Sequence, residues 1–203
     1  SDVCSSDLSG SGKSTLLSIL SGLDHVSAGS VWLDGNDITN YSEDDLAPLR
    51  NEMIGFVFQS FHLVPSLSAI ENIMFPAELQ GLPDAQERAE ALLNRVNIFD
   101  RADNFPHQLS GGEKQRVAIC RALINNPKII FADEPTGNLD SANGQGILDL
   151  LLDLQNENQT TLIMVTHDPK IAALADRIIR LQDGLIIEDT TNVPKREPAA
   201  VIA

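Results

Sequence analysis

The run Leu109-Ser110-Gly111-Gly112-Glu113 constrains this chain more than any other feature. It opens a helix and stands between a glycine-rich loop, Ser9-Gly10-Ser11-Gly12-Lys13-Ser14-Thr15, and an acidic pair, Asp133-Glu134, that ends an apolar run. With residue types used at about 5–10% each, a specified five-residue string recurs about once in 10^5 to 10^6 positions. Three such strings in one order do not arise by coincidence.

The segments Ile54 to Phe58, Ile129 to Ala132, Leu162 to Val165 and Ile178 to Leu181 are apolar with few polar alternations, the pattern of strands covered on both faces in a parallel sheet. Helical stretches lie between them. One runs from Ser14 to Leu23, starting on the glycine loop and stopping near Gly22. Ser68 followed by Glu71 reads as a capping box opening a helix through Leu79, closed by Gly81 and Pro83. Asp84 to Val96 places Ala85, Ala89, Leu92, Leu93 and Val96 on one face, and Ser141 to Asn158 does the same with Ile147, Leu148, Leu151 and Leu152, although Gly144 and Gly146 weaken its first turns. Asp183-Gly184 marks a late hairpin. The block from about Pro65 to Asn126 is helical while its flanks alternate strand and helix, so the expected class is α/β with a mostly parallel sheet and an inserted helical subdomain. The 203 residues suffice for one domain. Thr190 to Ala203, with its prolines and mixed polarity, reads as a loosely ordered tail.

The glycine loop places small residues where backbone N–H groups converge on phosphate oxygens at a helix N-terminus. Lys13 adds a point charge for the β and γ phosphates, and the Ser14 hydroxyl is a candidate Mg²⁺ ligand. The full pattern G-x-x-x-x-G-K-[ST] requires glycine at position 7, where this sequence has Asp7, whose charge would repel the anion. Asp133 and Glu134 end a buried strand, where ligands of open α/β sheets bind. Asp133 is expected to hold Mg²⁺ and Glu134 to polarise the water that attacks the γ-phosphate. His167 ends another apolar strand and could donate to that phosphate. Gln59 ends Gly55-Phe56-Val57-Phe58 and could sense Mg²⁺ or the attacking water. Ser110 and its two glycines offer free N–H groups and a positive dipole end, a second anion site. A mere helix cap would need neither both glycines nor Glu113.

Charge narrows the partners. With 14 basic and 29 acidic residues the formal net charge is −15, which repels phosphate backbones, so nucleic acid is not an expected partner. Cys4 and Cys120 cannot make a disulfide framework, and Cys120 reads as a buried small hydrophobe in a cytosolic chain. No apolar stretch is long enough to span a bilayer and no signal-peptide pattern opens the chain. Any membrane role must come through a partner.

Leu109 to Glu113 with Gln115-Arg116, Asp133-Glu134-Pro135, Asn138-Leu139-Asp140 and His167 resemble the nucleotide-binding subunits of ABC transporters, and the resemblance runs from Leu8 to about Asp189. Gly55 to Phe61, Glu71-Asn72-Ile73 and Phe131 to Asp140 resemble the branch serving lipoprotein release and macrolide export. The resemblance implies a P-loop NTPase core over 9–64 and 127–189, a helical subdomain over 65–126 and a tail over 190–203. It implies a Mg²⁺-dependent ATPase in which two copies close head to tail. ATP would lie between the phosphate loop of one copy and Ser110-Gly111-Gly112 of the other, with Asp140 reaching across. It also implies a membrane permease partner, which would hold the chain at the cytoplasmic face of the inner or plasma membrane. The groove for that partner is expected near Phe61, His62, Leu63, Val64 and Asn72. The family has two strands before the phosphate loop that are missing here. Ser1 to Leu8 fits no family segment and reads as a translated adapter on a truncated gene, with Asp7 replacing a lost glycine, so weak ATP binding is expected. An alternative is a non-transporting ATPase that signals during cell division. Chromosome-structure ATPases are disfavoured by the lack of a coiled coil, and a small-molecule kinase would lack Leu109 to Glu113.

Overall fold

Alternate residues of the apolar runs face opposite sides of one sheet, and both sides are covered. In a computed structural model that describes residues 2–5 and 12–192, Ile130, Ala132, Leu162, Met164 and Val57 join one buried cluster while Phe131, Val165 and Ile54 join another. This is why the runs show no polar alternation.

The elements follow in chain order as β1 (Asp2–Ser5), α1 (Lys13–Leu20), β2 (Trp32–Leu33), β3 (Asn36–Asp37), α2 (Glu43–Met53), β4 (Ile54–Phe58), α3 (Ala69–Leu79), α4 (Ala85–Arg95), α5 (Gly111–Leu123), β5 (Ile129–Asp133), α6 (Ser141–Asn158), β6 (Thr161–Thr166), α7 (Pro169–Ala172), β7 (Arg177–Gln182) and β8 (Leu185–Thr191), with short 3-10 turns at Phe99–Arg101 and Pro106–Gln108. The main sheet has the order β4-β5-β6-β1-β7-β8. All its pairs are parallel except the β7–β8 hairpin, which turns at Asp183-Gly184 as the sequence predicts. The parallel α/β class with a helical block between β4 and β5 is borne out.

Three differences have physical causes. Asp2–Ser5, in the stretch that fits no family segment, forms a strand between β6 and β7, because parallel pairing asks only for an extended backbone with partners on both sides. The expected tail is shortened at its start, since β8 continues through Thr191 and the Asn192 amide donates to the Asp176 carbonyl at 2.7 Å. Residues 24–53, for which the apolar spacing gives no expectation, supply the β2–β3 hairpin and α2. Only Leu46 of α2 is buried and Pro48 lies inside it, so apolar periodicity is faint. Its signal is instead a capping box, Ser42 with Asp45.

The helical block does not have a core of its own. Ile73, Leu93, Val117 and Ile119 belong to the same cluster as Val57, Ile130 and Leu162. α5 is the link, lying so close on β4 that a Cβ on Gly55 would stand 2.4 Å from the Ala122 carbonyl oxygen. α5 opens on a capping box in which the Glu113 amide donates to Ser110 Oγ at 3.3 Å and the Ser110 amide donates to Glu113 Oε2 at 2.7 Å. Arg101 Nε donates to Glu113 Oε1 at 3.0 Å. The Ser110 backbone bond, more than the Arg101 charge, holds the Glu113 carboxyl below its ordinary value of 4.5.

Two outcomes follow. Gly55→Ala should cost about 1–3 kcal/mol, because a backbone carbonyl must retreat, and the drop in the chemical denaturation midpoint measures it. Because Glu113 is depressed in the folded state, its stabilisation is full above 4.5 and is lost as pH falls through its lower folded value. The stability gap between the unchanged chain and Glu113→Ala, about 1 kcal/mol near neutrality, should therefore close in acid, which denaturation at a series of pH values reads.

Candidate functional site

Register brings the candidate residues level. Phe58 of β4 lies opposite Asp133 of β5, which lies opposite Val165 of β6. Gln59, Glu134 and His167 therefore leave the C-terminal edge of three adjacent strands, the edge where open α/β sheets bind ligands. α1 packs on β5 and β6, which delivers Lys13 and Ser14 to the same edge. Gly12 caps α1 with φ 89°, Lys13 is buried, and Ser14 Oγ donates to Asp133 Oδ2 at 3.2 Å. Ser9, Gly10, Ser11 and Asp7 lie outside the described residues, and Thr15 is exposed on the first turn of α1.

Burial is the main cause that pushes the Asp133 carboxyl above the usual carboxylate range. The Ser14 hydroxyl opposes it, the Glu134 charge adds to it, and the Lys13 charge again opposes it. Glu134 follows with φ 44°, a left-handed conformation that is uncommon for a non-glycine residue, whose Cβ crowds the backbone there. The constraint is visible. Its amide donates to the Val165 carbonyl at 2.9 Å, and its carbonyl accepts from the Gly137 amide at 3.0 Å, closing a tight turn. His167 Nδ1 lies 3.0 Å from Glu134 Oε2, so the two predicted catalytic groups are in contact.

Gln59 meets the far side of that turn. Its Nε2 donates to Asn138 Oδ1 at 3.3 Å, and Asn138 Nδ2 donates to the Gln59 carbonyl at 2.9 Å. The fit is close enough that a Cβ on Gly137 would fall 2.7 Å from Gln59 Nε2 and 3.2 Å from Glu134 Oε2. Asn138 carries no role in the sequence reading beyond its place in a motif. Its reciprocal pair with Gln59 is the contact that reading missed, and an amide side chain four residues after the acidic pair was its only signal. A cavity of about 610 Å³, lined by Glu134, Asp140, His167 and Lys170, adjoins the turn.

The helix-opening motif sits elsewhere. A Cβ on Gly111 would stand 3.2 Å from the Leu139 side chain and one on Gly112 3.6 Å from Asn143 Oδ1, so the motif lies beside the residues that follow the Glu134 turn in sequence. Leu109 is buried in the core and anchors the motif. Glu113 closes the capping box with Ser110. Ser110 is exposed beside the glycines. Asp140 caps α6, accepting from the Asn143 amide at 3.0 Å and from Asn143 Nδ2 at 2.6 Å.

Asn72 is buried and fastens the loop before α3, its Oδ1 accepting from the Val64 amide at 2.7 Å and its Nδ2 donating to the Leu67 and Ser68 carbonyls, each at 2.9 Å. A groove of about 370 Å³ opens between α2, α3 and α5, with Arg50, Phe58, His62, Leu79, Arg121 and Asn125 among its walls. No helix among the described residues is long and apolar enough to cross a membrane.

The donor set at Ser14 and Asp133 suits a magnesium nucleotide. Mg²⁺ prefers oxygen ligands and is bound by one or two protein groups together with phosphates rather than by an all-protein cage. Among the described residues no group of three or more His, Cys, Asp or Glu forms such a cage, while a hydroxyl and a carboxylate converge beside a buried lysine.

The family model described as ABC transporter matches residues 8–137. The chain is 49% identical over 181 residues to the lipoprotein-releasing system ATP-binding protein LolD of Pseudomonas fluorescens, covering 88% of this chain and 80% of that protein. It is 49% identical over 201 residues to the macrolide export ATP-binding/permease protein MacB of Syntrophobacter fumaroxidans, covering 94% of this chain but 28% of that protein. The dimeric post-hydrolysis state of the ATP-binding cassette MJ0796 bound to ADP and Pi superposes with a TM-score of 0.84 at 40% identity, covering 94% of this chain and 84% of that one. With a matching family model over more than half its length, relatives at 49% identity and the same fold as a solved cassette, the chain belongs to the ABC transporter family as an ATP-binding cassette.

Proposed function

We propose that this chain hydrolyses ATP with Mg²⁺ between two head-to-tail copies and thereby drives a membrane permease, in lipoprotein release or efflux, from the cytoplasmic face of the membrane. One observation carries the reading. Lys13, Ser14, Asp133, Glu134, Gln59 and His167 assemble half of a nucleotide site, while the Ser110-capped start of α5 lies on Leu139 and Asn143, past the Glu134 turn. A second copy is the natural source of the other half, and the MJ0796 cassette with ADP and Pi is itself a dimer.

Each group then has a task set by its surroundings. Gly12 to Thr15 and the start of α1 present N–H groups and the Lys13 charge to phosphate oxygens. Ser14 and Asp133 hold Mg²⁺, which when bound neutralises phosphate charge. Glu134, held by its turn and by His167, takes the proton of the attacking water. Gln59, held by Asn138, orients that water. His167 both positions Glu134 and faces the terminal phosphate. From the partner copy, Ser110 with the N–H groups at Gly111 and Gly112 stabilises the charge that develops there, and Asp140 sits at the seam. The permease docks in the groove between α2, α3 and α5, next to the segment that follows Gln59.

Glu134→Gln should lower phosphate release by about 10²- to 10⁴-fold while an ATP-dependent dimer persists, read by light scattering. A monomer under saturating ATP would contradict the pairing. Replacing Ser110 and Gly111 with glutamate should abolish turnover but leave nucleotide binding to the single copy within about threefold, because only the partner's phosphates meet those side chains. Undiminished hydrolysis in that variant would remove the head-to-tail model.

A further inference from the structure

The segment after Gln59 is held in an unfavourable shape. Phe61 and His62 are both left-handed, with φ 62° and 47°, and two consecutive residues with large side chains do not stay there unaided. The local amide bonds, Phe61 to the Phe58 carbonyl at 3.2 Å and His62 to the Ser60 carbonyl at 2.7 Å, close the turn but leave the Phe61 and His62 carbonyls pointing away from it. Arg121 of α5 takes both. Its Nη1 donates to the His62 carbonyl at 2.5 Å and its Nη2 to the Phe61 carbonyl at 2.9 Å. Among the described residues no carboxylate pairs with this guanidinium, and burial lowers its pKa. A partly buried cation whose partners are two backbone carbonyls is spending its charge on the shape of one loop. The His62 ring tilts against Phe58 at 4.6 Å, and Asn72 fastens the next stretch at Val64.

We propose that Arg121 is the positioning residue for Gln59: its planar fork pins the Phe61–His62 turn to α5 and so fixes where Gln59 meets Asn138 and the Glu134 turn. The fork matters because a guanidinium holds two acceptors in fixed geometry, whereas a lysine offers one mobile point charge. The rod that carries Arg121 begins at Ser110, about 15 Å away along the helix axis. The nucleotide-facing start of α5 and the loop bearing Gln59 therefore move as one body. Arg121 and His62 also line the groove between α2, α3 and α5, so a segment docked there touches the clamp directly. In its activity arm the inference rests on the hydrolytic reading above; in its structural arm it does not.

The test uses the 203-residue chain unchanged and as R121K, R121A, Q59A and the double variant Q59A/R121A. R121A should lower kcat by about tenfold or more with KM for Mg²⁺-ATP changed by less than about threefold, and R121K should fall between. The double variant should be no slower than Q59A alone, because both changes act through one side chain. Amides of residues 59–64 should exchange with deuterium about tenfold faster in R121K and R121A while those of α5 stay protected. Losses that multiply in the double variant, or an unaltered kcat in R121A, would overturn the assignment. If R121A does not fold, R121K with Q59A/R121K gives the same cycle. Absence of turnover in the unchanged chain would overturn the hydrolytic reading, and the exchange arm would still decide the clamp, with unchanged exchange at 59–64 in R121K rejecting it.

Discussion

Parallel pairing of β4, β5 and β6 in one register is the constraint on which the site depends. A parallel sheet sends every strand's carboxyl end to the same edge, and side-chain period makes register all or nothing, since a slip of one residue would exchange the two buried faces. Ile130 and Phe131 face different apolar clusters, so the packing on both sides of β5 forbids such a slip. Because Phe58, Asp133 and Val165 are thereby held in line, the residues that follow them arrive at one edge, where polar contacts such as Gln59–Asn138 and His167–Glu134 then refine their placement. The hydrophobic core thus sets the geometry of a polar site.

Within that site the turn from Glu134 to Asn138 is the shared node. His167 reaches it from β6, Gln59 from β4, and Gly111 lies against its Leu139 side. Its left-handed Glu134 is a strained residue at the position assigned to proton transfer, and the strain is sustained by backbone bonds to Val165 and Gly137. A carboxylate fixed in this way loses little freedom when a nucleotide arrives, the condition under which a positioned base is effective.

Much of this was legible in the residues, for reasons that differ by element. Strands β4 to β7 declared themselves because burial on both faces removes polar alternation, and α3 because its capping box is local chemistry written within four residues. α2 was obscured by its single buried residue, Leu46, and by Pro48, although its Ser42–Asp45 box carried the same signal. At the site, Lys13, Ser14, Asp133, Glu134, His167 and Gln59 announce their chemistry by type and by position at strand or helix ends. Asn138, Asn72 and Arg121 do not. Asn138 and Arg121 meet backbone carbonyls of Gln59 and His62 tens of residues away, and Asn72 ties the irregular loop just before it, contacts that composition and periodicity cannot encode.

The arrangement of α5 ties these strands of argument together. Its first turn carries exposed Ser110 and the glycines, its middle contributes Val117, Ile119 and Cys120 to the common core, and its last turn holds Arg121 against the loop of Gln59. Burial along its middle makes the helix stiff, because a close-packed interior transmits displacement rather than absorbing it. The thiol of Cys120, pushed up to about 12 by that burial, is chemically silent and serves as a packing group. In the proposed dimer this stiff helix would face the partner copy at its start while its end holds the loop between groove and site. A force on its start would then be felt at Gln59, and an occupant of the groove would bear on the same clamp.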